Sequence, residues 1–296
     1  MANSNGWGDG AANNAIGWGQ GANNAIGWGD IHAKSYAGLT DIVGVAPVDP
    51  DAQAFITAAA ITDPTQQSAI NTLVTDLKGY NIWTKFKAIY PIVGGTAATH
   101  KWNLKDPRDL DAAFRLTFAT GWTHSANGMT PLLTFADTKL IPSTAIFGSN
   151  QNIHLTYYSR SNTAGGYEFG NSLSGDGSSF GISSKYSNNN IYVFFGAFVN
   201  IAIPTGLGFA MANSTSAGVK AIKNGVVVRT GAVASVNINS FTRATYLGAD
   251  NRLGVAAEFS TKQCAFASIG EGLTDAEATN LYTAVQAYQT TLSRQV

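Results

Sequence analysis

The chain has 296 residues, a formal net charge of zero and only 12% charged residues, while 45% of residues are hydrophobic. These figures exclude a nucleic-acid binder that works through a basic surface, because neutralising phosphates takes clustered Lys and Arg, and they exclude a disordered chain. So few charges over so large a surface also point to cover by neighbouring subunits.

Residues 1–46 read as an extended docking segment. GWGDGAANNAI, GWGQGANNAI and GWGDIHAKSY follow one another, setting Trp7, Trp18 and Trp28 at near-equal intervals between glycines. Asn13-Asn14 and Asn23-Asn24 recur between them. No unit carries enough apolar surface to fold alone. The expectation is a strap whose glycines allow close approach to a partner while each Trp ring fills a pocket on it; the alternative is a flexible linker. MANSNGWGDG lacks a basic stretch followed by an apolar run, so it does not read as a secretory signal.

Residues 47–95 read as a helical neck. Asp49-Pro50 and Asp63-Pro64 each place a capping carboxylate before a proline at the first helical position. Ala69, Ile70, Leu73, Val74 and Leu77 form a buried stripe, and Gly79 is the expected C-terminal cap.

From Ile82 onwards the pattern changes to short alternating runs between Gly, Asn, Ser and Pro, and residues 96–296 read as one β domain. Strands are expected at 83–93, 113–119, 153–160, 180–185, 191–202, 207–211, 218–223, 226–231, 246–249 and 262–269. Such spacing without intervening helices predicts a mainly β antiparallel sandwich. Asn224-Gly225 is positioned for a type I′ hairpin turn. The run 191–204 is too short and too interrupted to span a membrane. Thr274 with Glu277 forms a capping box, and Leu281, Tyr282, Val285, Tyr288 and Leu292 draw one apolar stripe, so a helix is expected over 275–293.

Asn224-Gly225, Tyr246-Leu247-Gly248-Ala249, CAFASIG and GLTDAEATNLY resemble the concanavalin A-like, laminin-G-type jelly-roll domains. That resemblance implies a jelly roll closed by a C-terminal helix. The GWG repeats, HKWNLKDPRDLDAAFRLTF and LYTAVQAYQTTL are similar to virion proteins of tailed phages infecting Bacteroidetes. This second resemblance spans nearly the whole chain. It implies a head or tail appendage in the virion, in contact with other virion proteins. Trp7, Trp18, Trp28 and the paired asparagines would then dock on the particle. A homo-oligomer is expected, with a trimer as its state.

Chemistry is sparse. His32, His100, His124 and His154 show no metal-ligand spacing, and no compact acidic loop offers a calcium site. His124 reads as a surface-turn residue, and Cys264, alone, as a small buried filler. There is no nucleophile elbow or phosphate loop. The sandwich carboxylates Glu168, Asp176, Asp250 and Glu258 are few, with Glu168 and Glu258 expected to face solvent. No enzyme activity, cofactor, metal or membrane insertion is expected. Arg108 and Arg115 are available for intersubunit ion pairs. Trp122, Tyr157, Tyr158, Arg160, Tyr167 and Tyr186 lie near Asn- and Ser-rich turns and could bind a host surface glycan, with aromatic faces stacking on sugar rings. A lectin-like receptor module, or a capsule depolymerase, is the alternative to a purely structural part.

Overall fold

The computed structural model describes residues 48–145, 151–173 and 179–296. The GWG repeats, with Trp7, Trp18, Trp28, Asn13, Asn14, Asn23 and Asn24, lie outside the described residues, as does Asp176. Helix α1 (Pro50–Ala58) is capped by Asp49, whose carboxylate accepts from Asp51 N at 2.9 Å. Helix α2 (Pro64–Gly79) is capped by Asp63, which accepts from Gln66 N at 2.8 Å. Both prolines sit where a missing N–H costs nothing. The stripe from Ala69 to Leu77 is buried as its spacing predicts.

Gly79 does not end α2 in the expected way. It is the last helical residue, and the left-handed position falls to Asn81 at φ 58°. Asn81 N donates to Lys78 O (2.9 Å) and Ile82 N to Leu77 O (3.0 Å), the Schellman arrangement. The same closure follows α1 at Ala60 (φ 52°). Asparagine tolerates this conformation, whereas alanine pays about 1–2 kcal/mol for the crowding of its Cβ. Ala60→Gly is therefore expected to stabilise the protein by about 0.5–1 kcal/mol after the greater chain entropy of glycine is subtracted. A urea midpoint unchanged or lowered in that variant would contradict the strain.

The chain then forms two sheets. Sheet one holds β1 (Phe86–Tyr90), β3 (Trp122–Ser125), β4 (Gly128–Pro131), β6 (Ile153–Ser159), β11 (Gly208–Thr215), β12 (Gly218–Lys223), β13 (Val226–Gly231) and β17 (Cys264–Gly270). Its order is β13-β12-β11-β6-β17-β4-β3, with β1 also pairing β17. Sheet two holds β2 (Thr117–Phe118), β5 (Ala136–Asp137), β7 (Phe169–Ser172), β8 (Ser179–Ser183), β9 (Asn190–Phe195), β10 (Phe198–Ala202), β14 (Tyr246–Leu247), β15 (Asp250–Arg252) and β16 (Val255–Ala257). Its order is β10-β9-β8-β7-β14-β5-β2, with the β15–β16 hairpin set beside β7. The fold is a mainly β antiparallel sandwich; among the described residues only the β15–β7 ladder is parallel. The Asn224-Gly225 turn joins β12 to β13 with both φ values positive, 46° and 78°, as a type I′ turn requires. The expected single strand 191–202 is instead the hairpin β9–β10, because Gly196 at φ 81° turns the chain back on itself.

Two cores result. Phe169, Phe180, Val193, Phe195, Tyr157 and Phe241 fill the space between the sheets. On the outer face of sheet one, Tyr158, Phe209 and Phe266 meet Phe55, Leu73 and Leu281 of the helices. Helix α5 (Asp275–Thr291), introduced by the Thr274–Glu277 capping box, lies on this face as its apolar stripe predicts. It follows α3 (Ala97–His100) and α4 (Pro142–Ala145) in the chain, both single turns.

The stretch expected as a separate neck is part of this arrangement. β1 hydrogen-bonds to β17, and Lys85 Nζ meets Glu277 at 2.6 Å. Asp49–Val296 is one compact unit. After α5, Ser293 at φ 55° turns the chain so that Arg294 is buried. Its guanidinium donates to Ile92 O (2.6 Å), Ala265 O (3.2 Å), Pro91 O (3.4 Å), Ala126 O (3.4 Å) and Gln289 Oε1 (3.0 Å). Every donor of the fork is used, which ties the end of the chain to both β1 and β17 flanks. Arg108 and Arg115 pair within the chain, with Asp106 and with Asp109 and Asp111, and not as free intersubunit partners.

Candidate functional site

The three longer helices all pack on sheet one, which leaves the outer face of sheet two out of both cores. Strand alternation decides what that face displays. In β9, Ile191, Val193 and Phe195 point into the sandwich. Tyr192 and Phe194 therefore point outward, beside Phe198 and Asn200 of β10, their antiparallel partners. Tyr167 and Tyr186 close the surface at the end of these strands.

The rings form one connected aromatic cluster, part buried and part exposed. Tyr167 stacks on Tyr186 with centroids 5.3 Å apart and planes 19° apart. Tyr186 meets Tyr192 at 4.8 Å, Tyr167 meets Phe194 at 4.6 Å, and Phe198 joins Phe194 at 5.6 Å and Tyr192 at 5.7 Å. Gly181 lies under it: a Cβ there would come within 2.4 Å of the Phe194 ring. The missing side chain is what lets Phe194 lie against the strand. Phe198 is 40% exposed and Tyr186 and Tyr192 are half-buried, while Tyr167 and Phe194 are buried beneath them.

Polar groups rim the rings. Tyr186 donates its hydroxyl proton to Glu258 Oε2 at 3.0 Å. Arg252 holds Asp250 Oδ2 through Nε (2.9 Å) and Glu258 Oε1 through Nη2 (3.3 Å). Burial raises the Asp250 carboxyl, against the lowering effect of Ser172 and Arg252. Its Oδ1 is buried without a hydrogen-bond partner among the described residues. Burial also raises the Tyr186 phenol, helped by its bond to Glu258. On the other rim, Asn188 Nδ2 donates to the Tyr192 hydroxyl (2.8 Å) and Asn190 Nδ2 to Asn200 Oδ1 (3.1 Å). Flat apolar rings beside carboxylate and amide groups can stack on a sugar ring and bond its hydroxyls.

Of the six residues expected to bind glycan, only Tyr167 and Tyr186 come together here. Tyr157 is fully buried between the sheets, donating to Lys262 O at 2.7 Å. Tyr158 is fully buried under the helices, and its hydroxyl accepts from Val296 N. Neighbouring residues of one strand point to opposite faces, and both faces of β6 are covered. Arg160 is turned to the chain end, donating to Arg294 O at 3.0 Å. Trp122 is half-buried on β3 of the other sheet, donating to Phe135 O at 3.0 Å. Tyr192, Phe194 and Phe198 were missed because IYVFFGAF reads as a uniformly buried run. The usable signal was the Gly196 turn, which splits that run into two alternating strands.

Other titratable groups are structural. Glu168, expected to face solvent, is fully buried with Lys262 at 2.7 Å and accepts from Ser184 N and Oγ. His124 is half-buried in β3 and not in a surface turn. Its Nδ1 lies 2.9 Å from Nδ1 of His100, whose Nε2 accepts from Gly95 N. That fixes the His100 proton on Nδ1, donated to a neutral His124. Among the described residues no group of three or more His, Cys, Asp or Glu could hold a metal ion.

No protein-family model and no curated protein matches the chain. Among solved structures it is similar to a Trypanosoma rangeli sialidase mutant with trans-sialidase activity, at 12% identity and TM-score 0.47, over 75% of this chain and 39% of that one. It thus spans about two-fifths of that sialidase. It is also similar to the CBM40 of Ruminococcus gnavus IT-sialidase bound to α2,3-sialyllactose (14% identity, TM-score 0.34, covering 44% and 81%). A third is domain 4 of a GH43 extracellular arabinanase from Geobacillus stearothermophilus in complex with arabinotriose (15%, 0.36, covering 67% and 98%).

Proposed function

We propose that this chain binds carbohydrate through the outer face of sheet two. The observation that carries the reading is the aromatic patch of Tyr186, Tyr192 and Phe198, backed by the buried rings of Tyr167 and Phe194 and flanked by hydroxyl-bonding groups, on the outer face of sheet two, where none of the long helices among the described residues packs. The role is binding without cleavage. Glu168 is locked in a buried pair, and both Asp250 and Glu258 are held by Arg252. The setting we propose is the virion of a tailed phage, as an oligomeric head or tail appendage. The GWG repeats, with Trp7, Trp18 and Trp28, dock on the particle, and the sandwich meets a glycan of the host surface. The resemblance of the repeats to such proteins supports that setting.

A glycan array probed with the full chain tests the binding. Tyr186→Ala and Tyr192→Ala are each expected to weaken the strongest signals about tenfold or more, the loss of a central aromatic anchor, with thermal unfolding retained. Binding that survives both substitutions would remove this face from the function.

A further inference from the structure

Resting on that carbohydrate reading, we infer that Glu258 is the positioning residue of the aromatic face, fixing the half-buried Tyr186 ring on the buried Tyr167 ring before a sugar arrives. Its main chain holds one ring and its side chain the other. Glu258 O accepts from Tyr167 N at 2.8 Å, and Glu258 Oε2 accepts from the Tyr186 hydroxyl at 3.0 Å. The two rings so held have centroids 5.3 Å apart and planes 19° apart. The carboxylate is itself anchored. Arg252 Nη2 meets Glu258 Oε1 at 3.3 Å, and Arg252 Nε meets Asp250 Oδ2 at 2.9 Å. Asp250 is buried and accepts from Ser172 Oγ at 2.8 Å, so this chain of bonds begins on β7 and ends on the Tyr186 ring. Both Glu258 oxygens are thereby engaged within the protein, and the residue acts through Tyr186.

The backbone carries a second, independent sign. Glu258 follows β16 at φ 50°, a left-handed conformation in which a side chain crowds its own backbone and which glycine adopts freely. Gly166 supplies the room for it, since a Cβ there would fall 1.9 Å from Glu258 O. A carboxylate kept where glycine would be less strained fits strain held at a binding site by its surroundings. The return is a ring already in place. Ordering one loose side chain on binding lowers affinity by about three- to tenfold, and a Tyr186 ring released from Glu258 meets that penalty.

The test measures the affinity of the full chain for the strongest glycan of the array, and the urea midpoint, in a set of variants. Glu258→Ala and Tyr186→Phe are each expected to weaken binding about three- to tenfold. Together they are expected to weaken it no further than either alone, because the same bond is lost each time. Glu258→Gln keeps an acceptor for the Tyr186 hydroxyl and is expected to restore most of the loss. Glu258→Gly is expected to bind as weakly as Glu258→Ala but to have the higher urea midpoint, since it relieves the left-handed backbone. Losses that add in the double variant, or an affinity that follows the urea midpoint from Glu258→Ala to Glu258→Gly, would overturn the positioning role and leave the carbohydrate reading standing. So would full binding by Glu258→Ala alongside its loss in Tyr186→Ala. A full chain that binds no glycan would overturn both.

Discussion

Between pH 6.5 and pH 4 the protein is expected to lose on the order of 5 kcal/mol of stability, mostly through two buried histidines. His100 is pushed from 6.5 to about 3 by burial, with His124 and Arg294 adding to the effect. His154 is pushed to about 4, again mainly by burial, with Lys85 assisting and Glu271 and Glu277 opposing. Both rings are neutral in the fold and held in one tautomer. His154 donates from Nδ1 to Glu271 O at 2.6 Å, and its Nε2 faces the hydroxyl of Ser268 at 3.3 Å. The unfolded chain takes up protons as pH falls below 6.5, while the folded chain does not until it nears 4 and 3. Stability is therefore full above pH 6.5 and declines as pH falls, by about 1.4 kcal/mol per unit for each ring. Asp250 and Asp76, whose carboxyls are raised by burial, act in the opposite sense. Urea midpoints measured across this range, with the rings followed by NMR, check the expectation. A flat profile down to pH 4.5, or either ring charged at pH 5 in the folded protein, would contradict it.

Lys262→Met is expected to destabilise the protein by about 3–5 kcal/mol, because it leaves the fully buried Glu168 without its counter-charge. Glu168 accepts from Ser184 N at 2.7 Å and from Ser184 Oγ at 2.9 Å, but neither neutral donor replaces an ammonium at 2.7 Å. Adding Glu168→Gln to that variant is expected to recover at least half of the loss, since no buried charge then remains. Equal urea midpoints for the single and double variants would show that the pair is not what matters. The pair joins the start of β7 to the start of β17, and so one sheet to the other at one end of the sandwich.

Local chemistry was legible where a few adjacent residues settle the outcome. Asp49, Asp63 and Thr274 cap helices because a short side chain before a helix satisfies its free N–H groups, whatever the surroundings. Asn224-Gly225 turns a hairpin because both residues accept positive φ. The stripes of α2 and α5 announced one buried face each. Gly79 misled because the end of α2 is set by where Ile82 is buried, which places the left-handed residue at Asn81.

The candidate site was only half legible. Alternation along a strand separates its residues into two faces without saying what covers either. Tyr157 and Tyr158 fall on opposite faces of β6; sheet two buries the first and the packing of α1, α2 and α5 on sheet one buries the second. Glu168 looked solvent-facing because its partner, Lys262, is distant in the chain and is brought to it only when β7 and β17 are set in their sheets. By itself the sequence determined the mainly β class, the helix starts, the turn and the capping box, all short-range matters of φ, hydrogen-bond donors and periodicity. Tertiary structure alone decided that, among the described residues, the long helices lie on sheet one and not on sheet two. Burial of a face depends on which element lies across it, and so Tyr186, Tyr192 and Phe198 reach the surface while Tyr167 is buried against Tyr186.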